Sequence, residues 1–196
     1  MAAKHQPDLF AAPAPQPDGL RYREAVLSPS EERAYAARFA ALPFKPFEFH
    51  GYLGKRRIVS FGWRYDYAGH ALRESVPIPD FLLPLRETAG AFAGLPAAGL
   101  QQALVTEYAA GAGIGWHRDK PMFDDVVALS FLADCTLRLR RRRGPGWERA
   151  ALPVAPRSAY LLRGAARHVW EHSVPPVAAL RYSVTFRNFA GAPTKA

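Results

Sequence analysis

GIGWHRDKPMF, residues 113–123, carries the decisive signal of this chain. It holds His117, Arg118 and Asp119 in a row. On an extended segment, residues i and i+2 point to the same side, so the His117 imidazole and the Asp119 carboxylate aim at one point. His-x-Asp alone is a weak signal, because it arises by chance in many chains. It gains meaning only if the fold is strand-rich and a further histidine arrives from a later strand.

Working outward, the chain does read as strands. Segments 101–108, 126–132, 135–142, 147–154, 157–163, 168–174 and 180–189 have strand character, with Gly and Pro between them. Helices come earlier. Ser28-Pro29-Ser30-Glu31 is a capping-box pattern and opens a helix to Leu42. A second helix fills about 79–94, despite Pro84 and Gly90. Residues 47–62 alternate and carry Gly51, Gly54 and Gly62, which suggests short strands and turns. Helices followed by short strands imply an α+β fold with a sandwich or jelly-roll core. Residues 1–19, rich in Pro, Ala, Gln and Asp, read as a flexible tail ahead of one domain, 20–196.

Bulk composition agrees. With 196 residues, 49% of them hydrophobic, the chain can bury one core but not two comfortable ones. Its net charge of +9 suits a polyanionic partner, nucleic acid foremost, or a generally Arg-rich surface. The single Cys135 excludes an intrachain disulfide and a cysteine-built zinc site, and reads as a space-filler. No signal-peptide pattern and no apolar run of membrane-span length is present, so a soluble, cytoplasmic protein is expected.

Of the six histidines, His5 falls in the tail, and His50 and His70 in glycine-containing turns. His168 and His172 are the candidates to join His117 and Asp119. Four apart, they share a face if both lie on one strand, and periodicity cannot separate them. His172, in Trp170-Glu171-His172-Ser173-Val174, is preferred because it sits near a strand end, where a site mouth lies. Two histidines and one carboxylate on a common face leave open positions on a non-haem Fe(II). Further on, Arg181, Ser183, Thr185 and Arg187 fall on one face of the last strand, and Tyr182, Val184 and Phe186 on the other. An exposed edge strand with a basic face is one reading. The other is that the two arginines, spread over roughly 20 Å, lean inward and grip a small dicarboxylate.

Taken in order, Leu104-Val105-Thr106-Glu107-Tyr108, Gly113–Asp119, Trp170-Glu171-His172 and Arg181–Arg187 resemble the AlkB-like Fe(II)/2-oxoglutarate-dependent dioxygenases. The resemblance covers about Phe61 to Phe189. It implies a double-stranded β-helix with flanking helices, a nucleotide-lid region at about 45–75 and a catalytic core at about 100–190. It places His117, Asp119 and His172 on iron, Arg181 on the distal carboxylate of 2-oxoglutarate with Tyr108 beside it, and Arg187 near the chelating carboxylate. Many members carry Asn where this chain has Thr106 and Ser183; both replacements keep a hydrogen-bonding group at the cofactor.

The chemistry implied is oxidative demethylation of N-alkylated bases, of the 1-methyladenine and 3-methylcytosine type, in DNA or RNA. O2 is the co-substrate, and formaldehyde, succinate and CO2 leave. Repair members of the family flip the base into the pocket. Trp63, Arg64, Tyr65 and Tyr67 form an aromatic-rich segment suited to stack on a base, as the lid's contribution in a single-stranded substrate complex, or they simply pack the lid onto the core. Arg138, Arg140, Arg141, Arg142 and Arg143 form the densest basic patch and suit phosphate contacts. Gln6-Pro7-Asp8-Leu9-Phe10 is similar to the short motif by which bacterial repair proteins dock on the sliding clamp. Two other readings keep company with this one: the same oxygenase chemistry on a protein or small molecule, and a non-catalytic nucleic-acid-binding module.

Overall fold

A computed structural model describes residues 16–49, 52–66 and 71–191. The clamp-like segment Gln6–Phe10, Tyr67, and the turn histidines His50 and His70 lie outside the described residues.

The first helix, α1 (Pro29–Ala40), starts as its sequence requires. Ser28 Oγ accepts from the Glu31 backbone N–H, and the Glu31 carboxylate accepts from the Ser28 N–H, closing a capping box. The second expected helix divides into a 3-10 turn (Asp80–Leu82) and α2 (Leu83–Ala93). Pro84 is harmless there because it stands in the first turn, where its missing N–H has no partner to lose.

Two sheets face each other. The larger holds β1 (Leu20–Arg23), β2 (Lys45–Phe49), β3 (Tyr52–Phe61), β6 (Gln102–Tyr108), β8 (Phe123–Phe131), β11 (Ala159–Leu162) and β13 (Arg181–Phe189), in the order β1-β11-β8-β13-β6-β3-β2. The smaller holds β7 (Ile114–His117), β9 (Cys135–Arg143), β10 (Gly146–Val154) and β12 (Glu171–Val174), in the order β10-β9-β12-β7. From β6 onward the chain alternates between the sheets, except for the β9–β10 hairpin within the smaller one, which is the winding of a double-stranded β-helix. Gly62, at φ +73°, turns the chain out of β3 into a separate hairpin of β4 (Trp63–Asp66) and β5 (Ala71–Glu74). A Cβ at Gly62 would stand 2.2 Å from the Gln101 carbonyl oxygen, so no other residue fits this turn.

Alternation along the strands builds two cores. Ala103, Val105, Val127, Leu129, Phe131, Val184 and Phe186 point outward from the large sheet and pack beneath the helices. Phe39 of α1 meets Phe131 and Tyr182 edge-on, at centroid distances of 5.0 and 5.5 Å. On the opposite face, Val126, Ala128, Tyr160 and Leu162 meet Leu137, Leu139, Leu152 and Trp170 between the sheets. Burial of these side chains supplies the main driving force for closing the barrel-like core.

Two expectations need correction, and one of two alternative readings falls away. The 168–174 strand is in fact α3 (Gly164–His168) followed by β12, so His168 and His172 do not share a strand face. The short strands of 47–62 are a hairpin whose second arm, β3, runs ten residues. The last strand is not an edge: β13 lies in the middle of the large sheet, paired to β6 and β8 on its two sides.

Candidate active site

The cavity opens between the two sheets, with a volume of about 870 Å³. His117 comes from the end of β7 and His172 from β12, and the pairing of these strands sets the two residues directly opposite each other. Their ring centroids lie 4.2 Å apart. Gly113 allows β7 to come this close: a Cβ there would stand 2.6 Å from the Val174 carbonyl oxygen. Asp119 follows on the loop after β7, with its Oδ2 3.6 Å from His172 Nε2.

Hydrogen bonding fixes which atoms remain available. His117 Nδ1 lies 2.9 Å from the Gly115 carbonyl oxygen, which can only accept, so Nδ1 carries the proton and Nε2 keeps its lone pair. Arg187 donates from Nε (3.0 Å) and NH2 (2.7 Å) to Asp119 Oδ1, and from NH1 (2.7 Å) to Gln102 Oε1. Oδ2 of Asp119 is thereby turned toward His172. Burial pushes the Asp119 carboxyl up, but Arg187, His172 and His117 together outweigh it and hold the group well below the usual carboxylate range. Burial first, then His117, pushes His172 down to about 3 against the pull of Asp119. Burial likewise lowers His117. At neutral pH the three groups are therefore two neutral imidazoles and one carboxylate.

Among the described residues, no group of three or more His, Cys, Asp and Glu is drawn in to the spacing of a finished metal cage. The donors converge in pairs instead. His172 Nε2 and Asp119 Oδ2 stand 3.6 Å apart, and together with His117 they would hold a divalent ion. The donor set, nitrogen–nitrogen–oxygen with protons already off, fits a divalent ion such as Fe(II).

Next to Tyr108 of the cavity wall lies a buried cation. Arg181 is 1% exposed, and its Nε donates to Ser130 Oγ at 3.1 Å. Its guanidinium lies 5.2 Å from the Tyr108 ring centroid, across the β13–β6 pairing. Among the described residues no carboxylate pairs with it. A buried charge without a counter-charge is costly, which marks the place for an anionic ligand. Burial pushes the Tyr108 phenol up, with Arg181 opposing, so it stays a neutral hydroxyl. Thr106 and Ser183, opposite each other in register, line the same cavity. A dicarboxylate running from the His–Asp cluster past Tyr108 would have its far end toward Arg181.

The remaining expected residues separate. Tyr65 lines the cavity, with Lys120 Nζ 4.3 Å above its ring. Trp63 packs edge-on against Phe189, centroids 5.6 Å apart, and does not line it; Arg64 is exposed and does not line it either. His168 stands at the cavity lining with its Nε2 3.2 Å from Asp124 Oδ1. Arg138, Arg140 and Arg142 lie on the outer face of the small sheet, interleaved with tryptophans. Arg138 and Arg140 lie over Trp116, and Arg140 and Arg142 over Trp147, at 4.1 to 5.1 Å. Arg140 is also tied to Glu171 at 2.7 Å. Arg141 points the other way, over buried Trp170, and bonds Glu148; Arg143 also reaches Glu148, at 3.7 Å. The five arginines are thus not one uniform patch.

Ser130, Gln102 and Arg167 were not visible as site residues in the sequence. Gln102 and Ser130 sit in phase with the cavity-facing positions of β6 and β8, which alternation could have revealed. Arg167 had no such signal. It is 2% exposed and donates to the carbonyl oxygens of Lys120 and Phe123, both at 2.7 Å, holding the loop behind Asp119.

Comparison with known proteins gives this geometry its family. The chain matches the model of the 2OG-Fe(II) oxygenase superfamily over residues 25–187 and belongs to that superfamily. The superfamily's name states its cofactors, Fe(II) and 2-oxoglutarate, which the site's donor set fits. It is similar to an Arabidopsis thaliana protein named "Alkylated DNA repair protein ALKBH8 homolog", 29% identical over 147 residues, covering 63% of this chain and 42% of the relative. It is also similar to uncharacterized protein L905 of Acanthamoeba polyphaga mimivirus, 30% identical over 99 residues, covering 44% of this chain and 47% of the relative. The chain thus spans less than half the length of these curated relatives. Among solved structures, that of OsALKBH1 superposes with a TM-score of 0.64 at 16% identity, covering 88% of this chain and 99% of that one. A Trichoplax adhaerens prolyl hydroxylase, solved with a hypoxia inducible factor peptide, gives 0.60 at 14% identity, covering 88% and 84%. These two likenesses speak for the double-stranded β-helix fold.

Proposed function

We propose that this dioxygenase removes N-alkyl groups from nucleic-acid bases. The observation that carries the reading is Tyr65: its ring, on the hairpin beyond β3, lines the same cavity as His117, Asp119 and His172. A flipped base can stack there with its alkyl group directed inward. The name of the Arabidopsis relative supports the same substrate class.

In this reading His117, Asp119 and His172 hold the iron. Arg181 grips the far carboxylate of 2-oxoglutarate, with Tyr108, Thr106 and Ser183 lining its path. Arg187 acts as a positioning residue, since its guanidinium is committed to Asp119 and Gln102. When bound, the metal and 2-oxoglutarate supply the oxidising step, in which O2 is divided between succinate and the N-methyl carbon and CO2 is released. The hydroxymethyl group so formed on nitrogen falls off as formaldehyde. The protein's share is orientation and exclusion of water by the apolar walls Leu104, Val126, Leu137 and Leu162. Arg138, Arg140 and Arg142 on the outer sheet face would follow the strand's phosphates.

Formaldehyde and succinate release from methylated and unmethylated single-stranded oligonucleotides tests the proposal. Release that requires both the methyl group and His117, judged with His117→Ala, is expected. Succinate release that ignores every methylated oligonucleotide would move the substrate to a protein or a small molecule.

A further inference from the structure

Asp119 stands where the sheets no longer hold the chain. β7 ends at His117, β8 begins at Phe123, and residues 118–122 belong to no strand. Outside a ladder, the position of a backbone depends on individual contacts. Arg187 holds the Asp119 side chain through Oδ1. The backbone beyond it is held at Met122, whose carbonyl oxygen accepts from the Ala190 N–H at 3.0 Å, and at Lys120 and Phe123 by Arg167.

Arg167 lies on α3, and its NH2 donates at 2.7 Å to the carbonyl oxygens of both Lys120 and Phe123. The same two residues close a turn, in which the Phe123 N–H donates to the Lys120 carbonyl oxygen at 3.1 Å. One guanidinium nitrogen therefore grips both ends of the turn that begins directly after Asp119. Two neighbouring contacts join the same elements. Arg118 NH1 donates to the His168 carbonyl oxygen at 3.3 Å, and His168 Nε2 lies 3.2 Å from Asp124 Oδ1. From α3 the chain passes through Val169 and Trp170 into β12, which carries His172. The loop that bears Asp119 is thus tied to the segment that bears His172.

The tie carries a penalty. Arg167 is 2% exposed, and among the described residues its buried Nε has no hydrogen-bond partner. Among the same residues no carboxylate forms a salt bridge with it. Burial pushes its guanidinium down, and Asp119 foremost opposes that. Burying a cation without a paired carboxylate opposes folding, so this arginine is a poor device for stability alone. It also lines the cavity.

We propose that Arg167 is a positioning residue of the metal site: by gripping both ends of the Lys120–Phe123 turn from the segment that leads to His172, it sets where the Asp119 carboxylate stands relative to His172. The proposal rests on the reading of His117, Asp119 and His172 as the metal ligands. Groups that support a ligand from behind govern metal affinity nearly as strongly as some ligands do.

The test uses the full chain, freed of iron, with Co(II) as the probe. Affinity is read by calorimetry and ligand geometry by the visible spectrum of the bound Co(II). Arg167→Met is expected to weaken Co(II) by roughly 10- to 100-fold and to move the spectrum toward that of Asp119→Ala saturated with Co(II). Arg167→Lys keeps the charge with fewer donors and is expected to show a smaller loss of the same kind, roughly threefold or more; it carries the test if Arg167→Met does not fold. Arg157→Met, which breaks the ion pair with Glu32 away from the cavity lining, is expected to lower the melting temperature and leave the Co(II) affinity unchanged. Wild-type affinity and spectrum in whichever Arg167 variants fold would overturn the proposal and leave Arg167 a structural tie. An equal loss of affinity in Arg157→Met would overturn it too, because stability alone would then account for the effect. A wild-type chain that takes up no Co(II) would overturn the assignment of the metal ligands, and the proposal with it.

Discussion

Arg181 and Arg187 look alike in the sequence, six residues apart on one strand face, yet their surroundings give them opposite behaviour. Arg187 has a carboxylate partner in place, held by two hydrogen bonds. Removing it leaves Asp119 buried without a counter-charge, so Arg187→Met is expected to cost about 3–5 kcal/mol of stability, read from urea denaturation of the metal-free chain. Arg181 has only Ser130 and the Tyr108 ring among the described residues. Arg181→Met removes a charge that burial already penalises, so the ligand-free melting temperature is expected to hold or rise. The same substitution should weaken 2-oxoglutarate by about 2–5 kcal/mol, as loss of one partner of a buried charge pair does, measured by titration of the metal-substituted protein. Equal destabilisation by both substitutions would refute the distinction.

The element that shows most is the small sheet. Its inner face contributes Leu137 and Leu139 to the core; its outer face stacks Arg138, Arg140 and Arg142 against Trp116 and Trp147. Arg149 lies opposite Arg140 on β10 and is exposed. Arg140 is held by Glu171, which leaves Arg142 and Arg149 the better placed to meet a polyanion. Replacing both with Ala is expected to lower the slope of log affinity against log salt, for an unmethylated single strand, by roughly 1.4 units. An unchanged slope would place the nucleic acid elsewhere. How legible these elements were depended on their length. The capping box of α1 and the alternation of β6, β8 and β13 are repeated over enough residues to be read directly. The five-residue α3 is not, because one and a half turns leave no periodicity, and nothing in the spacing of His168 and His172 separates the helix end from the strand that follows. Alternation also cannot say whether a polar face looks at solvent or into a cavity, so the face of β13 could be read as an edge. Arg167 was one arginine among many, and only its burial makes it notable. The His117, Asp119 and His172 set was legible because a strand pattern and a family resemblance converged on it.

At the scale of the molecule, burying neutral histidines links stability to pH. His172 is pushed down to about 3 when folded, against about 6.5 in an unfolded chain. Below pH 6.5 the unfolded chain takes up a proton that the folded one refuses, so acid favours unfolding. The metal-free protein is expected to lose stability progressively from about pH 6.5 down toward 3, and His172→Asn should flatten that slope in a series of urea melts. Asp119, held below its ordinary range, acts only at the acid end: its contribution is present above the unfolded carboxylate range and is lost below it. The central position of β13 carries a further consequence, in time rather than in space. β6 and β8 each present an edge to this strand, yet it follows β8 by about fifty residues of sequence. During synthesis those two edges emerge early and wait, with their backbone N–H and C=O groups unmatched, for the strand that will join them. Folding must therefore finish late, and the interval of greatest exposure to aggregation falls just before Arg181 and Arg187 arrive.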